Sequence, residues 1–228
     1  SRLVASGEKV IPAIKNLLKD PNRFIRGRAI WVLAKLGPKG LRIVERQLTD
    51  PNPQIRICAF RALRHEEHRM LEHAYKLASD PSPFVRREVA LAMRYLPFET
   101  SRDILLEIAD RYDGKDRYYL EAFGIGCTDK EAKTYQDLKQ RRQSSGYDPV
   151  YSGLVWRLHP ASSIRELKEW ALDGKLEDSI RRSMLFALSL IDAPQAAQAM
   201  VEVARSGTDQ TASLAKVFID KRDQGIWN

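Results

Sequence analysis

Apolar residues recur at helical spacing along the first third of the chain, and the pattern breaks three times at the same dipeptide. Val10, Ile11, Ile14, Leu17 and Leu18 fall on one face of a helix over residues 10–18. Leu41, Val44 and Leu48 repeat that face, as do Leu71, Ala74, Tyr75 and Ala78. Each run stops at Asp20-Pro21, Asp50-Pro51 or Asp80-Pro81, because proline disfavours helical geometry in the residue before it. A second amphipathic run follows each stop: Ile25, Ala29, Val32, Leu33 and Leu36, then Ile55, Ala59, Ala62 and Leu63, then Val85, Val89, Ala92 and Met93. Asp, Asn or Ser at the turn suits the cap of the second helix, and Pro53 and Pro83 suit its first turn. Small residues near Ala29, Ala59 and Val89 let paired helices approach closely. The repeating unit is therefore helix–turn–helix with a period of 30 residues.

The rest of the chain predicts weaker units of the same kind. Ser101–Tyr112 and Arg117–Gly126 make a pair without the Asp-Pro signature, and Lys130–Gln143 reads as a polar helix. Ser144–Pro149 is the clearest loop. Tyr151–Leu158 ends at His159-Pro160, and Ile164–Leu172 pairs with Ile180–Ile191, where Ile180-Arg181 echoes Val85-Arg86. Ala196–Ala204 and Thr211–Ile219 form the last pair, leaving Val4–Gly7 and Lys221–Asn228 as atypical ends. No period-two strand pattern occurs. The expected fold is all-α: an α-solenoid of about seven stacked antiparallel helix pairs in one domain over 1–228, regular over about 8–97 and divergent over 98–228.

Each repeat places Asp six residues before Arg: Asp20 and Arg26, Asp50 and Arg56, Asp80 and Arg86. An acid at the turn and an arginine in the next helix can pair within or between units, because the guanidinium fork matches a carboxylate and carbonyls. This pattern resembles HEAT-like repeats, in particular the short type associated with phycobilisome lyases. The resemblance implies that these six residues form an interior structural ladder. A bilin-lyase activity would follow only by analogy of fold, and no residue selects it.

Composition narrows the function without naming it. The chain has 228 residues, 43% hydrophobic and 30% charged, enough apolar surface to fold. No run approaches 18 apolar residues. The net charge is +8, but residues 1–100 hold 19 Lys/Arg against 10 Asp/Glu, and residues 101–228 hold 19 against 20. A basic excess confined to one part attracts acidic protein surfaces or phosphate backbones. Arg28, Arg61, Arg64, Arg87 and Arg94 are the candidates for an exposed basic binding face. Arg23, Phe24, Arg26, Arg28 and Trp31 interleave basic and aromatic residues in a manner suited to nucleic acid. Against that use, the repeat arginines are expected to pair inside the array, and Phe24 and Phe84 to pack between units.

Other chemistry is sparse. His65-Glu66-Glu67-His68 is not a His-Glu-x-x-His motif, since its histidines are three apart, and it reads as a polar turn even with His73 nearby. No metal ligand and no catalytic residue is assigned. Cys58 and Cys127 stand alone. Gly124-Ile125-Gly126 reads as a helix end using glycine's left-handed freedom. Cys127 behind it is expected to be an inert half-buried thiol; a helix start there would activate it.

Three further stretches carry a second resemblance: Asp116–Gly126, Val155–Pro160 and Phe218–Trp227. They look like segments in the helical region of large bacterial secreted proteins described as membrane-bound dehydrogenases with a c-type haem module. That resemblance implies a fragment of a longer chain, an extracytoplasmic (periplasmic or secreted) location, and a spacer between a β-propeller and a haem module. No Cys-x-x-Cys-His occurs, so this segment cannot itself attach haem. The expectation is a monomeric, non-catalytic protein-interaction and spacer domain. The alternative is a HEAT-like nucleic-acid binder of the DNA glycosylase kind that uses the basic part.

Overall fold

The computed structural model describes residues 7–142 and 146–223. The regular elements among those residues are all helices, with no strand. Among them, no helix is long and apolar enough to cross a membrane. Backbone contacts divide the chain into two compact units, Ser1–Ala92 and Met93–Asn228.

The first unit contains α1 (Ile11–Asn16), α2 (Arg23–Ala34), α3 (Gly37–Glu45), α4 (Pro53–His65), α5 (Met70–Leu77) and α6 (Pro83–Ala92). The first helices of its repeats are shorter than their apolar runs suggest. α1 gives way to a 3₁₀ turn at Leu17–Lys19, and α3 to one at Arg46–Thr49, as helices often tighten at their C-terminal ends. The second helices start where the turn residues place them. Asn22 and Asn52 cap α2 and α4 by accepting from Phe24 N and Gln54 N, each at 2.9 Å. α4 packs against both α2 and α6, so equivalent helices of successive repeats are neighbours. Ile30, Leu33, Val44, Ala59 and Leu63 are fully buried at the centre. Gly40 is required there, because a Cβ would lie 2.0 Å from the Leu33 carbonyl oxygen where α3 crosses the end of α2.

Two apolar faces differ from the pattern. Leu71 and Tyr75 are exposed, Tyr75 by 64%, while His73, Ala74, Leu77 and Ala78 face inward. α5 begins only at Met70, after a left-handed Arg69 (φ 48°), and that entry sets which face turns inward. Phe24 and Phe84 are 67% and 53% exposed rather than packed between units, and Leu17 is also exposed. Both phenylalanines sit in the first turn of their helix, one position before the inward-facing residue.

The second unit contains α7 (Phe98–Asp110), α8 (Arg117–Gly126), α9 (Glu131–Arg141), α10 (Pro149–Leu158), α11 (Ile164–Leu172), α12 (Asp178–Ser189), α13 (Pro194–Ser206) and α14 (Asp209–Asp223). Packing on the next helix but one recurs here: α7 on α9, α8 on α10, α10 on α12, α11 on α13, α12 on α14. The expected tail from Lys221 is helical to Asp223, and its last residues lie outside the described residues, as do Ser144, Ser145 and Val4–Ser6. Asp148 caps α10 by accepting from Tyr151 N at 2.8 Å.

Lys130, just before α9, is buried and not part of a polar surface. Its ammonium donates to the carbonyls of Met93, Arg94, Leu96 and Thr128 at 3.1–3.2 Å. It thereby gives four converging main-chain carbonyls a common donor.

Candidate functional site

Among the six repeat residues, Arg26 and Arg56 pair with an aspartate of the next repeat, while Arg56 and Arg86 also donate to main-chain carbonyls of their own repeat. The Arg26 guanidinium donates to the Asp50 carboxylate of the next repeat. Arg56 forks onto Asp80 through Nε at 2.8 Å and Nη2 at 2.6 Å. Its Nη1 donates back to the carbonyls of Asp50 and Pro51 at 2.7 and 3.2 Å. Arg86 makes the same backward pair onto Asp80 O and Pro81 O, at 2.7 and 3.2 Å. Each aspartate also folds its own turn: Asp20, Asp50 and Asp80 accept from the amide two residues on, all at 2.8 Å. One aspartate therefore shapes its turn and neutralises the arginine 24 residues earlier.

Arginines outside that set line a cleft. Arg23, Phe24, Gly27, Arg28 and Trp31 of α2 face Gln54, Ile55, Ile57, Cys58 and Arg61 of α4 across a cleft of about 560 Å³. The lining carries three guanidinium groups and no carboxylate. Arg23 lies 5.1 Å from the Phe24 ring centre, a cation–π contact on an exposed ring. Arg61 reaches from the cleft to Glu88 of α6 at 2.5 Å, a hydrogen bond that raises its already high pKa. Arg64 stands 3.6 Å from the same carboxylate. Cys58, at the cleft floor, sits 3.7 Å from the Gly27 carbonyl, and burial raises its thiol pKa.

The five candidate arginines thus have different surroundings. Arg28 is exposed in the cleft. Arg61 and Arg64 share Glu88. Arg87 stacks over Phe84 at 5.7 Å. Arg94, in the second unit, stacks over Tyr95 at 5.4 Å and donates to Thr128 Oγ1 at 3.3 Å. Arg23 belongs to the cleft as well; its signal was its place beside Phe24 in the basic–aromatic run.

A second group lies at the turn between α4 and α5. That turn is a Schellman motif: His68 N donates to Leu63 O at 2.9 Å and Glu67 N to Arg64 O at 3.1 Å. Glu67 (φ 52°) fills the left-handed position usually given to glycine, and Arg69 is left-handed too. These conformations cost roughly 1 kcal/mol or more each, and they flank His68. The His68 imidazole Nε2 lies 3.1 Å from Glu45 Oε1, at the end of α3. His73 Nε2 lies 3.3 Å from the same oxygen, and Arg69 Nη1 3.1 Å. Burial raises the Glu45 pKa, but the His68 hydrogen bond and the charges of His68, His73 and Arg69 outweigh it, leaving the carboxyl below its usual range. Burial holds His73 below the ordinary histidine value. His65 is elsewhere: it pairs with Glu66 at 3.0 Å and meets Trp31 edge-on. Sequence reasoning named His68 and His73 but missed Glu45, which lies 24 residues before Arg69, the same offset as Arg26 to Asp50.

In the second unit, Glu166 accepts from Tyr135 at 2.7 Å and Tyr151 at 3.1 Å. Burial and that carboxylate push both phenols far above their ordinary pKa. Arg142 stacks over the Tyr151 ring at 4.4 Å. Gly124 serves close packing and not a left-handed turn: a Cβ there would lie 2.2 Å from the Arg157 guanidinium carbon. Arg157 also donates to Glu121 at 2.8 Å.

Cys127 stands at the end of α8, not at a helix start, and is fully buried. Burial pushes its thiol up to about 12, which removes the nucleophilic thiolate at neutral pH. Native alkylation followed by peptide mapping is expected to modify Cys58 first, and Cys127 only after unfolding in urea. Comparable native rates at both thiols would contradict this placement.

No family model matches the chain, and no curated protein does. Among solved structures, the chain is similar to an engineered protein from the Northeast Structural Genomics Consortium. The two are 14% identical, with 94% of this chain and 97% of that chain covered, at a TM-score of 0.39.

Proposed function

We propose that the chain is a non-catalytic interaction module, an α-solenoid of stacked HEAT-like helix pairs, that binds an acidic protein segment in the α2–α4 cleft. One observation carries this reading: Arg23, Arg28 and Arg61 converge on a cleft whose lining holds no carboxylate. Phe24 and Trp31 supply apolar area beside them, the residue types that anchor protein interfaces. The paired Asp and Arg residues of successive repeats keep the two walls in register. The resemblance to helical segments of secreted haem-containing dehydrogenase-like proteins supports a spacer role in an extracytoplasmic parent. In that setting the cleft would hold a flanking module or partner protein.

Fluorescence anisotropy with a labelled Glu/Asp-rich peptide tests the reading. Binding is expected at low salt and weakens severalfold or more between about 50 and 200 mM salt, as exposed charge pairs are screened. Arg23→Ala combined with Arg28→Ala abolishes it without shifting thermal unfolding, since both side chains are exposed. No binding, or equal binding by the double variant, contradicts the reading.

A nucleic-acid role is the second reading, favoured by the exposed Phe24 and Phe84 rings beside Arg23 and Arg87. Bases stack on such platforms while arginines meet phosphates. A single-stranded oligonucleotide that binds more tightly than the peptide, with a steep salt slope, would select it.

A further inference from the structure

We propose that Glu45, His68 and His73 form a binding site for a divalent zinc-type cation. One ligand atom from each residue lies within 4.8 Å of the other two. Zinc holds imidazole nitrogen and carboxylate oxygen at about 2.0–2.2 Å, so neighbouring ligands of a tetrahedral site stand roughly 3.3–3.5 Å apart. The Glu45 Oε1 to His68 Nε2 and His73 Nε2 separations, 3.1 and 3.3 Å, are already close to such edges.

The second observation is an unpartnered donor atom. His73 is 95% buried, yet its Nε2 makes no hydrogen bond, although it is aimed at Glu45. A buried polar atom left unpaired costs about 1–3 kcal/mol, and a cation between His73 and Glu45 would satisfy it. His68 is held in place by the Schellman turn and its two left-handed neighbours, which fixes the third ligand before any ion arrives. The three residues come from the end of α3, the α4–α5 turn and the first turn of α5, so an ion would tie these elements together. Three protein ligands leave a fourth position for water. Arg69 is the competing charge, with Nη1 3.1 Å from Glu45, but its Nε and Nη2 already hold Glu72 at 2.9 and 2.5 Å. It can therefore leave Glu45 without losing its salt bridge.

Calorimetric titration of the full chain with Zn²⁺, and the visible absorption of Co²⁺ in its place, test the site. One-to-one saturable binding at micromolar Zn²⁺ or tighter is expected, with a rise in Tm and a tetrahedral Co²⁺ spectrum. Glu45→Gln and His68→Asn each weaken binding by more than the roughly 10–100-fold that loss of an outer-shell partner costs. These two variants are used because His73 is buried and its loss can unfold the unit; far-UV circular dichroism confirms that both fold. His65→Ala leaves binding unchanged. Arg69→Asn tightens it, since asparagine tolerates the left-handed backbone and the competing charge is gone. Absence of saturable binding, or binding by Glu45→Gln and His68→Asn as tight as by the unaltered chain, overturns the proposal.

Discussion

Asp80→Ala is expected to lower the free energy of unfolding by about 3–5 kcal/mol, the usual cost of removing one partner of a buried ion pair. Arg56 is only 8% exposed, and Asp80 takes two of its donors. The substitution leaves that guanidinium buried without a countercharge. It also removes the acceptor that folds the Pro81–Ser82 turn. A contrast isolates the cause. Lys39→Ala breaks an exposed pair with Glu8 and should change stability by less than about 1 kcal/mol. Urea denaturation of the full chain measures both. If Asp80→Ala costs no more than Lys39→Ala, the pairing between repeats is not what holds α4 and α6 in register.

Lys130→Met is expected to cost a similar amount, about 3–5 kcal/mol, for a different reason. Methionine fills much of the same volume but donates nothing, so the Met93, Arg94, Leu96 and Thr128 carbonyls lose their common partner. Lys130→Arg should not restore stability, because a planar fork cannot aim at four converging acceptors as an ammonium does. Recovery in the arginine variant would show that charge alone, and not the carbonyl cage, is what the site requires.

The period of 30 residues made the helix pairs of the first unit legible, since each Asp-Pro stop and each cap has a local physical cause. The helices Arg117–Gly126 and Ile164–Leu172 also lie where their apolar spacing places them. What could not be read was decided by contacts distant in sequence. Lys130 counts as polar in any periodicity, and only the fold turns it toward carbonyls 34–37 residues earlier. Tyr75 and Leu71 fit an apolar stripe, but the left-handed Arg69 sets the entry to α5 and turns His73 inward instead. The Ile180-Arg181 echo marks a buried arginine, yet Arg181 bonds Asp178 at 3.0 Å and Thr208 at 3.2 Å, not an aspartate one repeat on. The cleft was half legible: the basic–aromatic run around Phe24 pointed to α2, while its facing wall on α4 required the packed repeats. Glu45 carried no motif of its own.

Titration of the isotope-labelled full chain with the acidic peptide, followed through the arginine Nε–Hε resonances by NMR, separates the cleft arginines from the paired ones. Arg23, Arg28 and Arg61 are expected to shift with saturation while Arg26 and Arg56, committed to Asp50 and Asp80, stay in place. Shifts confined to Arg26 and Arg56, or to the arginines of the second unit, would contradict binding in the α2–α4 cleft.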